Sequence, residues 1–271
     1  MPVRLTLPPT LVDAIEASPR ALIGGWVVSA SPVAAEIMAG SGLEVILVDG
    51  EHTANSLESI QIQLQVIAGT PAIPLVRVPV GDAVVIKQYL DLGVQNLLVP
   101  MIDTAEAAAE VVRAVHYPPR GIRGVGSALS RGARWNRVEG YLARAAETIS
   151  LVVQIESAAA VSNVDAILAV DGVDAIFVGP SDLAASMGLI GEQDHPDVVA
   201  SVELAIAAAR SAGKPVAVNA FAPKTAERYL DAGADLVFVG ADVSLLARGS
   251  EALADRYIAG GAGEGSPRAS Y

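Results

Sequence analysis

The sequence predicts an α/β protein built as a closed (β/α)8 barrel, a TIM barrel, and three observations predict it. Eight short apolar runs recur along the 271 residues, each separated from the next by an Ala-, Leu- and Glu-rich helical pattern. Strands alternating with helices make parallel βα units, and eight such units fit a barrel of ~250 residues. A phrase also recurs where helix gives way to strand: Ser41-Gly42-Leu43-Glu44-Val45, Leu92-Gly93-Val94-Gln95-Asn96, Val170-Asp171-Gly172-Val173-Asp174 and Ala232-Gly233-Ala234-Asp235-Leu236. Glycine in that place turns the chain out of a helix and back into the sheet. Finally, no Asn-Gly or Asp-Gly pair closes two of the runs together as a hairpin. A doubly wound open sheet is the competing architecture. It wants a glycine fingerprint after its first strand, and here that strand is followed by Val28-Ser29-Ala30-Ser31-Pro32.

In chain order, Thr6 to Ser18 has an amphipathic helical pattern that Pro19 stops. The apolar runs then read Ala21–Val28, Val45–Asp49, Ile73–Val78, Asn96–Met101, Leu151–Ile155, Ala175–Val178, Pro215–Asn219 and Leu236–Val239. Runs without alternation suit parallel strands covered on both faces. The helical patterns between them include Pro32–Gly40, Ser56–Ala68, Ala83–Leu92, Ala105–Val115, Ala158–Ala169, Pro196–Ala212 and Pro223–Ala232. The interval between the fourth and fifth strands breaks the rhythm, with about fifty residues that include Tyr117-Pro118-Pro119-Arg120-Gly121 and the stretch from Arg131 to Arg137. A long segment of this kind is expected on the working face, as a lid or an interface. Residues 1–259 are read as one barrel domain, and the Gly-, Ser- and Pro-rich residues 260–271 as a disordered tail.

Composition excludes several classes of function. A net charge of −12 argues against nucleic acid or an anionic membrane as partner. No apolar run approaches the ~18 residues of a membrane span, and Met1-Pro2-Val3-Arg4 opens no signal-peptide core, so a cytoplasmic protein is expected. The absence of cysteine removes disulfides, thiolate metal sites and thiol nucleophiles. The high hydrophobic content, 52%, fits apolar surface buried between subunits.

Chemistry in such barrels collects where the strands end. There the sequence offers Trp26; Asp49, Glu51 and His52; Arg77; Gln154 and Glu156; Gly179-Pro180-Ser181-Asp182; Asn219; and Asp242. A Schiff-base mechanism needs a desolvated lysine at this rim. Of the three lysines, Lys87 and Lys224 fall in helical patterns and Lys214 precedes the seventh strand, at the opposite end. Electrophilic help then falls to Arg77 or to a metal. Glu156 and Asp182 are hard oxygen donors on neighbouring strands, a pair suited to octahedral Mg²⁺ or Mn²⁺ rather than to tetrahedral zinc. Each residue also has a plainer reading. Asp182 can cap a helix starting at Leu183, Ser157 can do the same after Glu156, and His52 can be a turn or core histidine. Arg77 within an apolar strand demands an anionic partner. His116, before Tyr-Pro-Pro, and His195, before Pro196, are read as surface turns.

Asp49-Gly50-Glu51-His52, Leu75-Val76-Arg77, Leu98-Val99-Pro100-Met101, Arg120-Gly121-Ile122-Arg123-Gly124-Val125-Gly126, Gln154-Ile155-Glu156 and Val178-Gly179-Pro180-Ser181-Asp182-Leu183, in this order, resemble the HpcH/HpaI aldolase family. These are class II, metal-dependent pyruvate aldolases of the 4-hydroxy-2-oxoheptanedioate aldolase type. The resemblance spans about residues 5–258. It implies a barrel whose C-terminal helix is exchanged between subunits, and a homo-oligomer, a hexamer built as a trimer of dimers. It implies reversible cleavage of a 4-hydroxy-2-oxoacid to pyruvate and an aldehyde with a divalent cation, Mg²⁺ or Mn²⁺, with Co²⁺ a further option. By position, Glu156 and Asp182 resemble the metal ligands. Gln154 and the Ser181 and Asp182 backbone resemble the pyruvate-binding groups, and Trp26, Gly179 and Pro180, at the same rim, are read with them as substrate-binding residues. Arg77 resembles the residue that stabilises the enolate, His52 the base, and Asp91 the acid that raises the basicity of that histidine. The chain departs from the family pattern after Arg77, at Val78-Pro79-Val80-Gly81-Asp82-Ala83. That loop borders the site, which bears on aldehyde preference. Asp91 lies late in a helix running back from the third strand, so a pair with His52 is expected across a subunit interface. Two rival readings are an acyl-CoA lyase of the citrate lyase β-subunit or malyl-CoA lyase type, which would want basic residues for CoA phosphates, and a non-catalytic metabolite-binding barrel.

Overall fold

The computed structural model describes residues 3–258. Eight parallel strands close on themselves in sequence order: β1 Leu22–Val27, β2 Val45–Asp49, β3 Ile73–Arg77, β4 Asn96–Val99, β5 Ser150–Ile155, β6 Ala175–Val178, β7 Val216–Asn219 and β8 Leu236–Ala241. The helices are α1 Leu11–Ala17, α2 Pro32–Ala39, α3 Leu57–Ile67, α4 Ala83–Asp91, α5 Ala105–Val115, α6 Tyr141–Arg144, α7 Ala158–Ser162, α8 Val164–Leu168, α9 Pro180–Ser186, α10 Pro196–Ser211, α11 Pro223–Ala232 and α12 Asp242–Tyr257. The barrel rather than the open sheet is therefore the architecture, because β1 pairs in parallel with both β2 and β8. No helix among the described residues is long and apolar enough to cross a membrane. The expected tail at 260–271 lies outside the described residues.

Two cores follow from the period of two along a strand. In β2, Val45 and Leu47 face the barrel interior with Leu75, Leu98, Val152, Phe177 and Phe238. Ile46 and Val48 face outward into the layer shared with the helices. The same alternation carries Asp49, Arg77, Gln154 and Asn219 to the inward-facing end of their strands. Gly24 keeps the interior this tight, since a Cβ there would lie 2.6 Å from the Phe238 ring. At the amino end α1 plugs the barrel. Leu11 is buried and its N–H donates to Asn96 Oδ1 at 2.7 Å. The helix is shorter than its sequence pattern, because Thr10 caps it after Pro8-Pro9.

Three expectations need correction. The segment between α5 and β5 lies at the amino-terminal end of the barrel rather than on the working face. Since α5 runs back from the carboxyl end of β4, residues after Val115 emerge at the bottom. There Leu5 N–H donates to Arg137 O and Gln95 Nε2 donates to Thr148 O. His116 is not a surface turn but is buried at the end of α5. The helix expected over Ala158–Ala169 divides at Asn163, whose side chain donates to Asp103 O at 2.8 Å.

The last helix stands apart from this packing. Only Asp242 of α12 is buried, while Leu245, Leu246, Leu253 and Tyr257 are each more than half exposed. Val33 and Ile37 of α2 are exposed as well.

Candidate active site

A cavity of 330 Å³ opens at the carboxyl ends of the strands. Trp26, His52, Arg77, Gln154, Gly179, Pro180, Ser181 and Asp182 all line it, so most of the residues singled out from sequence meet at one place. Asp49, Asn219, Phe221 and Ser244 line it as well.

Arg77 is the most constrained side chain. Its guanidinium donates through Nε to Asp49 Oδ1 at 2.7 Å and through Nη2 to Asp49 Oδ2 at 2.8 Å. This is the fork geometry that makes arginine a directional ligand. Nη1 lies 2.9 Å from Glu51 Oε2, and the cation sits 4.8 Å from the centroid of the Trp26 ring. Trp26 is in turn braced edge-on by Phe177 and Phe238, both at 6.0 Å. Its indole N–H donates to Asn219 Oδ1 at 2.9 Å. Burial opposes the charge on Arg77, but Asp49, then Glu51 and Glu156, more than offset it and raise its pKa. The anionic partner expected for Arg77 is thus supplied from within the chain by Asp49 and Glu51. Burial pushes the Glu51 carboxyl up, with Arg77 pulling it back.

Asp49 also anchors the turn that presents His52. Its two oxygens accept the N–H groups of Glu51 and His52. The turn ends there with the His52 side chain 69% exposed and its Nε2 3.8 Å from Glu51 Oε1. His52 therefore stands at the mouth of the cavity with one face open.

Glu156 follows β5 directly, two residues after Gln154 and on the same side of the chain. One of its oxygens accepts Met101 N–H at 2.6 Å and the other accepts the Gln154 amide. Burial raises its pKa, and the neighbouring Asp182 and Glu51 charges add to the effect. The opposite oxygen of Gln154 is buried without a partner among the described residues. Gly179 permits this crowding, since a Cβ there would sit 3.1 Å from Gln154 Nε2. Asp182 is the third residue of α9 and does not cap it; the helix starts at Pro180 with no side-chain cap. The capping reading holds only for Ser157, whose hydroxyl accepts Ala160 N–H at 2.9 Å.

No group of three His, Cys, Asp or Glu side chains among the described residues gathers at one point. Glu156 and Asp182, two mutually repelling carboxylates, nevertheless stand beside the unpartnered amide oxygen of Gln154 as a set of oxygen donors. That set fits a hard divalent ion completed by water and substrate. No lysine joins the cavity: Lys214 is consumed by Leu168 O and Val173 O, both at 2.6 Å.

Asp91 is not in this cavity. It is the last residue of α4, and Arg123 donates to it at 3.2 Å. Arg123 is itself buried beneath the Tyr117 ring, 4.6 Å from its centroid. Asn219, an amide ending the apolar strand β7, has no role legible in the sequence and acquires one here by fixing the Trp26 indole.

Comparison with known proteins places this geometry. Residues 22–249 match the family model described as HpcH/HpaI aldolase/citrate lyase. A protein of Shigella sonnei named 4-hydroxy-2-oxo-heptane-1,7-dioate aldolase is 49% identical over 238 residues, 88% of this chain and 91% of the relative. The crystal structure of an HpcH/HpaI aldolase/citrate lyase family protein from Burkholderia cenocepacia superposes with a TM-score of 0.86 at 37% identity, covering 90% of this chain and 96% of that one. An HpcH/HpaI aldolase from Desulfitobacterium hafniense gives 0.82 at 29% identity, covering 92% and 98%. The strand-end site, the matched span and the identity over most of both chains together mean that the protein belongs to the HpcH/HpaI aldolase/citrate lyase family, as an aldolase.

Proposed function

We propose that the protein cleaves 4-hydroxy-2-oxoacids to pyruvate and an aldehyde, and runs the reaction in reverse as an aldol addition. The observation that carries this reading is the placement of Arg77, a cation fixed by Asp49 at the floor of a cavity lined also by His52 and Asp182, with Glu156 set behind the wall within electrostatic reach of Asp182. The backbone N–H groups of Ser181 and Asp182, at the start of α9 where no side chain among the described residues caps the helix, suit the substrate carboxylate. Gln154 orients the 2-oxo group. His52 takes the proton from the C4 hydroxyl, the C3–C4 electron pair moves toward the 2-oxo oxygen, and the aldehyde departs. Arg77 donates to the oxygen where negative charge develops, and its grip by Asp49 and Trp26 means it need not reorganise. Protonation of the enolate carbon yields pyruvate. Glu156 and Asp182 would hold a divalent cation, Mg²⁺ or Mn²⁺, which supplies Lewis-acid polarisation of the 2-oxo group when bound.

Asp91 belongs to this scheme through a second copy of the chain. The residue ends a helix that runs away from the rim, and a ten-residue helix spans ~15 Å. The exposed apolar side chains of α12 and α2 support a homo-oligomer in which α12 is exchanged, and a hexamer accommodates both contacts. Asp91 of one subunit then orients His52 of the next.

The test is exchange of the pyruvate methyl protons with deuterated buffer, which needs no aldehyde. Exchange should appear with Mg²⁺ or Mn²⁺, vanish in excess EDTA and vanish in Glu156→Ala. Full exchange in EDTA would sink the reading.

A further inference from the structure

The chain turns sharply just after β4, and it does so beside Glu156. Met101 has a φ of 59°, in the left-handed region that residues with a Cβ disfavour. Of the five non-glycine residues with positive φ among those described, Met101 is the one bonded to a proposed cation ligand. Strain of this kind persists only where the surroundings over-determine the backbone, and such places gather at functional sites.

What holds the turn can be read on both sides of it. Pro100 and Ile102 are buried, whereas the Met101 side chain between them is 54% exposed. The chain dips inward, turns out and dips inward again, so packing of the methionine is not what fixes it. Before the turn, the Pro100 ring restricts the backbone. After it, Asp103 is fastened to the segment that follows β5. Ser157 Oγ donates to Asp103 Oδ1 at 2.5 Å, and Asn163 Nδ2 donates to Asp103 O at 2.8 Å. Between these anchors the Met101 N–H points at Glu156 Oε1, 2.6 Å away. The Gln154 amide takes the other oxygen. The carboxylate is thus gripped from two strands, by a side chain of β5 and by the main chain that leaves β4.

We infer that Met101 is a positioning residue: its left-handed turn aims a main-chain N–H that sets the direction in which Glu156 presents its carboxylate to the divalent cation. The inference rests on the reading of Glu156 and Asp182 as the cation ligands and adds to it the group that orients the first of them. A carboxylate held at one oxygen by a fixed N–H does not swing away, so the ligand is in place before the cation arrives. Hydrogen-bond partners behind a metal ligand are worth about 10- to 100-fold in metal affinity. Because the main chain does the holding, the side chain at 101 matters only through the φ it allows.

The experiment titrates the metal-free, full-length protein with Mn²⁺ and follows the free ion by electron paramagnetic resonance, which is independent of turnover. Met101→Gly keeps the N–H and adopts positive φ freely, so its Mn²⁺ Kd should stay within about twofold of wild type. Met101→Val keeps an apolar side chain, but its β-branch is a misfit at this φ, and affinity should fall about tenfold. Met101→Pro locks φ near about −65° and removes the donor, and should cost up to about 100-fold. Far-UV spectra establish that each variant is folded; if the proline variant is not, valine against glycine carries the test. Equal losses in Met101→Gly and Met101→Val would assign the role to the side chain and overturn the inference. Wild-type affinity in Met101→Val would overturn it as well. Glu156→Ala separates this from the underlying reading. Mn²⁺ binding that Glu156→Ala abolishes but the Met101 variants leave alone removes Met101 from the site and keeps the cation ligands. No Mn²⁺ binding by the wild type, or full binding by Glu156→Ala, removes the cation site and the role of Met101 together.

Discussion

Arg77 shows how a single side chain gathers its surroundings. A guanidinium inside an apolar strand is costly unless its donors are matched. Here Asp49, Glu51 and the Trp26 face match them from three sides. Lysine in its place keeps the charge but loses the fork and the stacking. Arg77→Lys should therefore lower kcat by roughly 10²-fold, the scale of one lost oxyanion donor, with the pyruvate KM changing far less. A parallel rise in KM with kcat intact would instead make Arg77 a ground-state binding group. His116 gives a residue-scale prediction about stability. Burial, and then Arg120, lower its pKa from 6.5, so the folded protein holds it neutral where the unfolded chain already binds a proton. Its contribution is thus complete above about pH 6.5 and is lost as pH falls through the depressed folded value. Urea midpoints measured from pH 7.5 to 5 should fall on acidification, and less steeply in His116→Leu. Identical slopes would remove His116 from the account.

At the scale of the element, what could be read in advance depended on whether the signal was local. Val45–Asp49 was legible to the residue, because a continuous apolar run ending in carboxylates has no other good reading. The alternation that puts Gln154 and Glu156 on one side of β5 was equally plain. The division at Asn163 was not, since it depends on Asp103 reaching across from another unit. Nor was the place of the segment after α5, whose length suggested a lid while its direction was set by the helix before it. The bracing of Trp26 by Phe177, Phe238 and Asn219 joins residues about 150 to 210 positions apart in the chain, and no window of sequence contains it. The last helix carries a prediction of its own. Leu246 and Leu253 are 75% and 58% exposed on α12, and the proposed exchange would bury them against another subunit. Leu246→Glu with Leu253→Glu should lower the oligomer mass in sedimentation while leaving the barrel's far-UV spectrum in place. An unchanged mass would mean that α12 does not hold the subunits together.

The whole molecule is an acidic barrel with net charge −12, yet it gathers Arg123, Arg131 and Arg134 around the end of α4, where Asp91 sits. Burial, and then Arg134, lower Arg131 to about 10, and burial lowers Arg134 as well. Neither has a carboxylate partner among the described residues; both donate to backbone carbonyls, Arg131 to Leu92 O and Arg134 to Arg131 O. Arg123 and Arg131 are buried, whereas the Asp91 side chain is 29% exposed, so Asp91 is the member of this cluster that a second copy can reach for the proposed pairing with His52. If each site takes its histidine from one subunit and its aspartate from a neighbour, the two functions can be separated by mutation and restored by mixing. His52→Ala and Asp91→Ala homo-oligomers should each be strongly impaired. Co-refolded or co-expressed at equal amounts, they should regain about a quarter of wild-type activity, because a random neighbour supplies the missing group at one site in four. Mixing intact oligomers without subunit exchange should restore nothing, which excludes simple addition of residual activities. Recovery no greater than the sum of the two parents would mean that Asp91 acts within its own barrel or not at all.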